Sequence, residues 1–133
     1  MTPLRHIMRK ELVKTSSHAS ILEAAQRMCD DRISALLIER NGEIVGIVTD
    51  TDLVRRGIAS ERDLRTTTVS TIMTTPLLKI ESTQSIEQAH DMMGNLGVRH
   101  LVVCEGGSPV GIVSVRDLLV HFQRVSESNR IQD

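Results

Sequence analysis

With 133 residues, 40% of them hydrophobic, the chain predicts one core of ordinary domain size and no room for a separate catalytic domain. Sixteen basic residues against seventeen acidic ones leave a net charge of −1, which excludes a global field that would draw in nucleic acid or an anionic membrane. Phe122 is the single Phe, Tyr or Trp, which disfavours a base-stacking platform for single-stranded nucleic acid and makes the core aliphatic.

In chain order, Leu12–Thr15 reads as a short strand. Ser20 then suits a helix N-cap, Glu23 completes a capping box with it, and Ile21, Ala24, Ala25 and Met28 recur on one helical face. Ala35–Ile38 and Ile44–Val48 are β-rich runs joined by Asn41-Gly42, a hairpin signal. A second helix is expected from about Thr51 to Ile58. Residues 60–70, without apolar periodicity, read as a linker.

The series then starts again. Ser85 with Gln88 repeats the capping box, and Ile86, Ala89 and Met93 repeat the helical spacing. Glu105-Gly106-Gly107 is the matching turn, and Pro109, which has no N–H for a ladder, belongs at a strand start or on an edge. The last helix is expected from about Val115 to Val125, with more apolar residues (Leu118, Leu119, Val120, Phe122, Val125) than one buried stripe requires. The polar tail 126–133 is expected to fray.

The recurrence is a true repeat. Residues 6–55 laid on 71–120, a shift of 65 positions without a gap, give 17 identities in 50 pairs, where chance would give about three. Neither copy alone can bury its own apolar face, so one supersecondary unit built twice is the expectation. The strongest match is Gly46-Ile47-Val48-Thr49-Asp50-Thr51-Asp52-Leu53 with Gly111-Ile112-Val113-Ser114-Val115-Arg116-Asp117-Leu118.

That motif carries two readings. A strand end delivering a hydroxyl to the mouth of a helix, with a carboxylate three residues on, suits a nucleotide: the helix mouth favours phosphate, and Asp52 or Asp117 can accept from the vicinal diol of a ribose. Thr49-x-x-Asp52 and Ser114-x-x-Asp117 are equally good N-caps that bind nothing. Gly46 and Gly111 would admit a flat ring or a neighbouring backbone at close range. Cys29 and Cys104 lack ligand spacing and read as reduced, packed thiols, and His6, His18, His90 and His121 form no metal pattern. No nucleophile elbow, Walker loop or paired-acid constellation is present, which argues against an enzyme.

The two signatures, Gly, two aliphatics, Thr or Ser, two variable residues, Asp and Leu, resemble those of cystathionine-β-synthase (CBS) domains, and the tandem resembles a Bateman module, from about Leu4 to Val125. The resemblance implies an α+β fold. Two pseudo-symmetric β-α-β-β-α repeats, residues 4–59 and 71–125, would pack sheet to sheet in one compact module, with 60–70 as linker. It further implies regulatory binding of AMP foremost, or ADP, ATP or S-adenosylmethionine, in two clefts between the repeats, with no catalytic site, no catalytic cofactor and no metal.

On this resemblance Thr49 with Asp52 and Ser114 with Asp117 would hold ribose and neighbouring groups. Lys14, Thr15, Lys79 and Ile80, together with Ile33-Ser34-Ala35 and Val98-Arg99-His100, would line the base and phosphate ends. Only the second copy brings cations: Arg99, His100 and Arg116 stand where the first has Ser34, Ala35 and Thr51. Arg99 and His100 are expected to reach the phosphate of a nucleotide whose ribose Asp52 holds, and Arg116 the phosphate beside Asp117. Asp50 adds a second carboxylate beside Asp52, which favours AMP over a polyphosphate there. The expected partners are an adenosine-containing small molecule, a second copy of the chain in a homodimer, and a client protein, with neither nucleic acid nor membrane. No signal peptide or membrane span is recognisable, and a cytoplasmic address is expected. The competing reading is a ligand-independent scaffold.

Overall fold

The Ser20 and Ser85 boxes start the two best-formed helices. A computed structural model describes residues 2–132, and in it the Ser20 hydroxyl accepts from the Glu23 N–H at 3.0 Å while the Ser85 hydroxyl accepts from the Gln88 N–H at 3.1 Å. Glu23 and Gln88 return the favour to the N–H groups of Ser20 and Ser85. Helix α1 therefore spans Ile21–Asp31 and α3 spans Ile86–Leu96. Both end on a left-handed residue, Arg32 (φ 54°) and Gly97 (φ 67°). Glycine adopts that conformation without strain and arginine does not.

Each helix sits in a three-stranded sheet unit. In the first, β1 (Lys14–Ser16) runs parallel to β2 (Ala35–Arg40), and β2 pairs antiparallel with β3 (Glu43–Thr49) across the Asn41-Gly42 turn. In the second, β4 (Lys79–Glu81), β5 (His100–Glu105) and β6 (Ser108–Ser114) repeat the same order around Gly106-Gly107. Both sheets carry a register slip at equivalent positions, between Ile38 and Glu39 and between Val103 and Cys104. Pro109 falls near the start of β6, an edge strand, where its missing N–H is tolerated.

The cores match residue for residue across the 65-position shift. Ile21, Ala24, Met28, Leu36, Ile38 and Val48 are buried together in one, and Ile86, Ala89, Met93, Leu101, Val103 and Val113 in the other. Val69 fills the place in the first core that Leu4 fills in the second, both wholly buried. The chain accordingly divides into a first unit, Val13–Leu77, and a second built from the residues up to Leu12 together with those from Leu78 onward. Residues 60–70 are woven into the first unit. The Leu22 N–H donates to the Leu64 carbonyl and the Ile21 N–H to that of Thr67, and Leu64 packs on the core.

Three expectations need correction. After β3 the helix starts as α2 (Asp50–Asp52) and widens at once into a π-helical stretch, Leu53–Ile58, with the Ala59 N–H reaching back to Val54. The last helix, α4, runs Val115–Gln132, beyond the Val125 end point: residues 126–132 continue it, and Asp133 lies outside the described residues. Runs of Ser, Glu and Asn in that stretch lack an apolar face, which is why the pattern stopped short of the helix. Cys104 is buried as expected, but Cys29, on the outer face of α1, is exposed.

Candidate functional site

At the end of β3 the chain turns into α2 at Thr49, and Asp52 folds back over that turn. The Asp52 Oδ2 accepts from the Thr49 N–H at 3.0 Å and from the Thr49 hydroxyl at 3.2 Å, while the Asp52 N–H donates to Thr49 Oγ1 at 3.3 Å. A further donor comes from outside the motif: the Thr74 hydroxyl lies 3.3 Å from both carboxylate oxygens. Arg56, one helical turn on, places Nε 3.8 Å from Oδ1 and spends another N–H on the Ile72 and Met73 carbonyls. Asp52 is 7% exposed. Its negative charge is thus held by a cap, a hydroxyl and a guanidinium of its own unit.

Ser114 and Asp117 rebuild half of this. Asp117 Oδ2 accepts from the Ser114 N–H at 2.8 Å and from its hydroxyl at 3.0 Å, and the Asp117 N–H donates to Ser114 Oγ at 3.2 Å. The counterpart of Thr74 is Arg9, which offers no hydroxyl. Asp117 is only partly buried, and both Ser114 donors fall on the same oxygen.

The sheets gather the remaining residues around these two corners. Ala35 pairs with Thr49, and the Asp50 N–H donates to the Ser34 carbonyl, so Ile33, Ser34 and Ala35 stand beside the Thr49–Asp52 turn. Equivalently His100 pairs with Ser114, and the Val115 N–H donates to the Arg99 carbonyl. Val98, Arg99, His100, Ser114, Arg116 and Asp117 therefore share one end of the second sheet. Lys79 and Ile80 lie on β4, two to three ladder positions away, with Ile80 buried and Lys79 exposed. Lys14 and Thr15 occupy the matching places on β1, but the Lys14 ammonium is turned to Glu39, 2.7 Å away, at the other end of its sheet. Asp50 is exposed and accepts from the Thr51 N–H.

The two motif glycines admit backbone. A Cβ on Gly46 would stand 2.6 Å from Met73 Sδ and 3.0 Å from the Thr74 carbonyl oxygen. One on Gly111 would meet the Arg9 carbonyl oxygen at 2.7 Å and Met8 Sδ at 2.8 Å. These close approaches accompany paired bridges, Ile47 with Thr74 and Ile112 with Arg9. The segment after the linker and the N-terminal segment are thus strapped to β3 and β6 beside the two Asp corners.

The CBS-domain family model matches residues 4–59 and 69–124, nearly the whole chain. The chain belongs to the CBS domain family. It is 31% identical over 121 residues to CBS domain-containing protein YhcV of Bacillus subtilis, covering 91% of this chain and 86% of that protein. Its fold superposes on an uncharacterized conserved protein from Pyrococcus horikoshii with a TM-score of 0.86 at 26% identity, over 90% of this chain and 91% of that one. A hexameric CBS-CP12 protein from bloom-forming cyanobacteria gives a TM-score of 0.82 at 27% identity, over 90% and 70% of the two chains. CBS tandems are in general regulatory, ligand-binding modules, and their ligands are in general adenosine derivatives. Among the described residues no helix is long and apolar enough to cross a membrane.

Thr74 and Arg56 are the site residues that motif reasoning missed. The signal for Thr74 was present: the 65-position register extends back past the second signature and pairs Thr74 with Arg9. A hydroxyl 22 residues from its carboxylate leaves no spacing pattern of its own.

Proposed function

We propose that this CBS tandem is a regulatory module that binds an adenosine-containing ligand, AMP foremost, at the Asp corners of its sheets and signals to a client protein by population shift. The observation that carries the reading is the Ser114–Asp117 corner, where a part-exposed carboxylate lies on the same sheet end as Arg99, His100 and Arg116. A carboxylate can accept from a ribose diol, and guanidinium groups pair bidentately with phosphate. The exposed Asp50 carboxylate beside Asp52 supports a monophosphate over a polyphosphate at the first corner. A ligand shifts the population only by its differential affinity for the two states.

Calorimetric titration with AMP, ADP, ATP and S-adenosylmethionine tests this: Asp117→Ala is expected to lose a binding event while remaining folded. Unchanged titrations in both Asp117→Ala and Asp52→Ala would reject the ribose role. A second reading, the ligand-independent scaffold, is favoured by one observation, the complete internal satisfaction of the cap at Asp52. The scaffold would show no rise in melting temperature with saturating nucleotide, whereas a module that binds it melts several degrees higher.

Self-association through α4 belongs to the same proposal. Leu119 (62% exposed), Phe122 (37%) and Val125 (45%) leave more apolar surface on one helix than a lone copy accounts for. The homodimer is the simplest closed arrangement of such a face.

A further inference from the structure

The two Asp corners share a backbone plan but not their charges. In the first unit the backbones of Thr74 and Ile47 bridge at 2.7 and 3.1 Å, and from that strap the Thr74 hydroxyl reaches the Asp52 carboxylate at 3.3 Å. In the second unit Arg9 and Ile112 bridge in the same way at 2.8 and 3.0 Å, beside the closely approached Gly111. Arg9 is therefore held in its own unit where Thr74 stands in the other, and its side chain leaves the strap at the Asp117 corner.

The exchange reverses the sign of the place. Around Asp52 the Arg56 guanidinium is spent on that carboxylate and on the Ile72 and Met73 carbonyls, and Asp50 adds an exposed second acid. At the second corner Val115 replaces Asp50, Arg116 replaces Thr51 and Arg9 replaces Thr74. Arg9 and Arg116 are both exposed, and neither guanidinium makes a hydrogen bond or an ion pair among the described residues. Arg99, on the same sheet end, has the same sign. Guanidinium groups gathered around one carboxylate repel one another, and a polyanion arriving there relieves that repulsion.

We propose that Arg9 is a specificity-determining residue of the second corner: it takes the outer phosphates of a bound nucleotide, so that this corner prefers a di- or triphosphate tail. The proposal rests on nucleotide binding at the Ser114–Asp117 corner and adds to it the residue that reads the length of the tail. A guanidinium on a three-carbon stem reaches past Asp117 and takes two phosphate oxygens at once, which a threonine hydroxyl in that place cannot do.

Amide chemical shifts of the full chain, titrated with adenosine, AMP and ATP, test it, since residues 99–100 and 114–117 report on the second corner and residues 34–35 and 49–52 on the first. At the second corner ATP is expected to half-saturate at a concentration on the order of tenfold below that of AMP. Arg9→Thr, which copies Thr74 and keeps the backbone bridge, is expected to abolish that preference and leave adenosine binding as it was. Arg9→Gln, which keeps most of the stem and removes the charge, is expected to do the same. The first corner is expected to respond alike in all three proteins. Equal affinity for AMP and ATP in the native protein, or a preference that survives both substitutions, overturns the role of Arg9 while nucleotide binding stands. A loss of adenosine binding equal to the loss of ATP binding in both variants shows a structural part alone and overturns it too. No saturable shift with any of the three compounds overturns the nucleotide reading itself, and the proposal with it.

Discussion

Removing the Asp52 carboxylate leaves the Thr49 N–H and the Thr74 hydroxyl without their acceptor in a buried place, whereas the Asp117 bonds to Ser114 lie where both residues are partly exposed. Asp52→Ala is therefore expected to destabilise the protein by about 1–3 kcal/mol and Asp117→Ala by about 1 kcal/mol, measured by urea unfolding. The two thiols differ in a comparable way. Burial pushes the Cys104 thiol above its ordinary range, Lys79 opposes the shift and Glu81 adds to it. An alkylating reagent is expected to modify Cys29 in the native protein and Cys104 only after unfolding, as peptide mass mapping would record. Above about pH 8.5 the unfolded thiol ionises while the buried one stays protonated, so the unfolded state is favoured. Cys104→Val is expected to remove that part of the alkaline loss of stability.

The helices and strands follow patterns confined to a few neighbouring residues, and these were readable. Ser20-x-x-Glu23 and Ser85-x-x-Gln88 form the boxes their spacing predicts, and Asn41-Gly42 makes the hairpin. Replacing Ser20 or Ser85 by Ala is expected to cost about 1 kcal/mol each, seen as a lowered denaturation midpoint. What the pattern hid is non-local. The bridges from Thr74 to Ile47 and from Arg9 to Ile112 are made by backbone, which carries no side-chain signature, and the only trace in the sequence is the glycine that makes room. Gly111→Ala drives a Cβ into the Arg9 carbonyl, and because backbone must move to relieve it, a loss of about 1–3 kcal/mol is expected by urea unfolding. The π-helical stretch after Asp52 was likewise unreadable, since Leu53–Ile58 has ordinary helix-forming residues on both sides of Gly57. At the site, Asp52 and Asp117 were legible and Thr74 was not, for the same reason of distance along the chain.

For the molecule as a whole, the duplication was plain in the sequence, but the borders of the two units do not coincide with the borders of the two repeats. Each core borrows from outside its own repeat: Leu4, of the first repeat, enters the second core, and Val69, of the linker, closes the first. Deleting residues 1–9 is expected to unfold the second unit preferentially, because it removes the wholly buried Leu4 and the bridge from Arg9 to Ile112. Hydrogen exchange would then rise in β4–β6 before β1–β3. Light scattering addresses assembly: Leu119→Glu with Phe122→Glu is expected to lower the mass to that of one chain while leaving thermal unfolding within a few degrees.

The split make-up of the second unit also orders events during synthesis. The first unit has every one of its residues once Leu77 has left the ribosome. The N-terminal segment, made before it, must wait with Leu4 uncovered until β6 emerges some thirty-odd residues later. Nascent chains arrested just after Leu77 has emerged from the ribosome should therefore resist protease across Val13–Leu77 while remaining open to cleavage ahead of it.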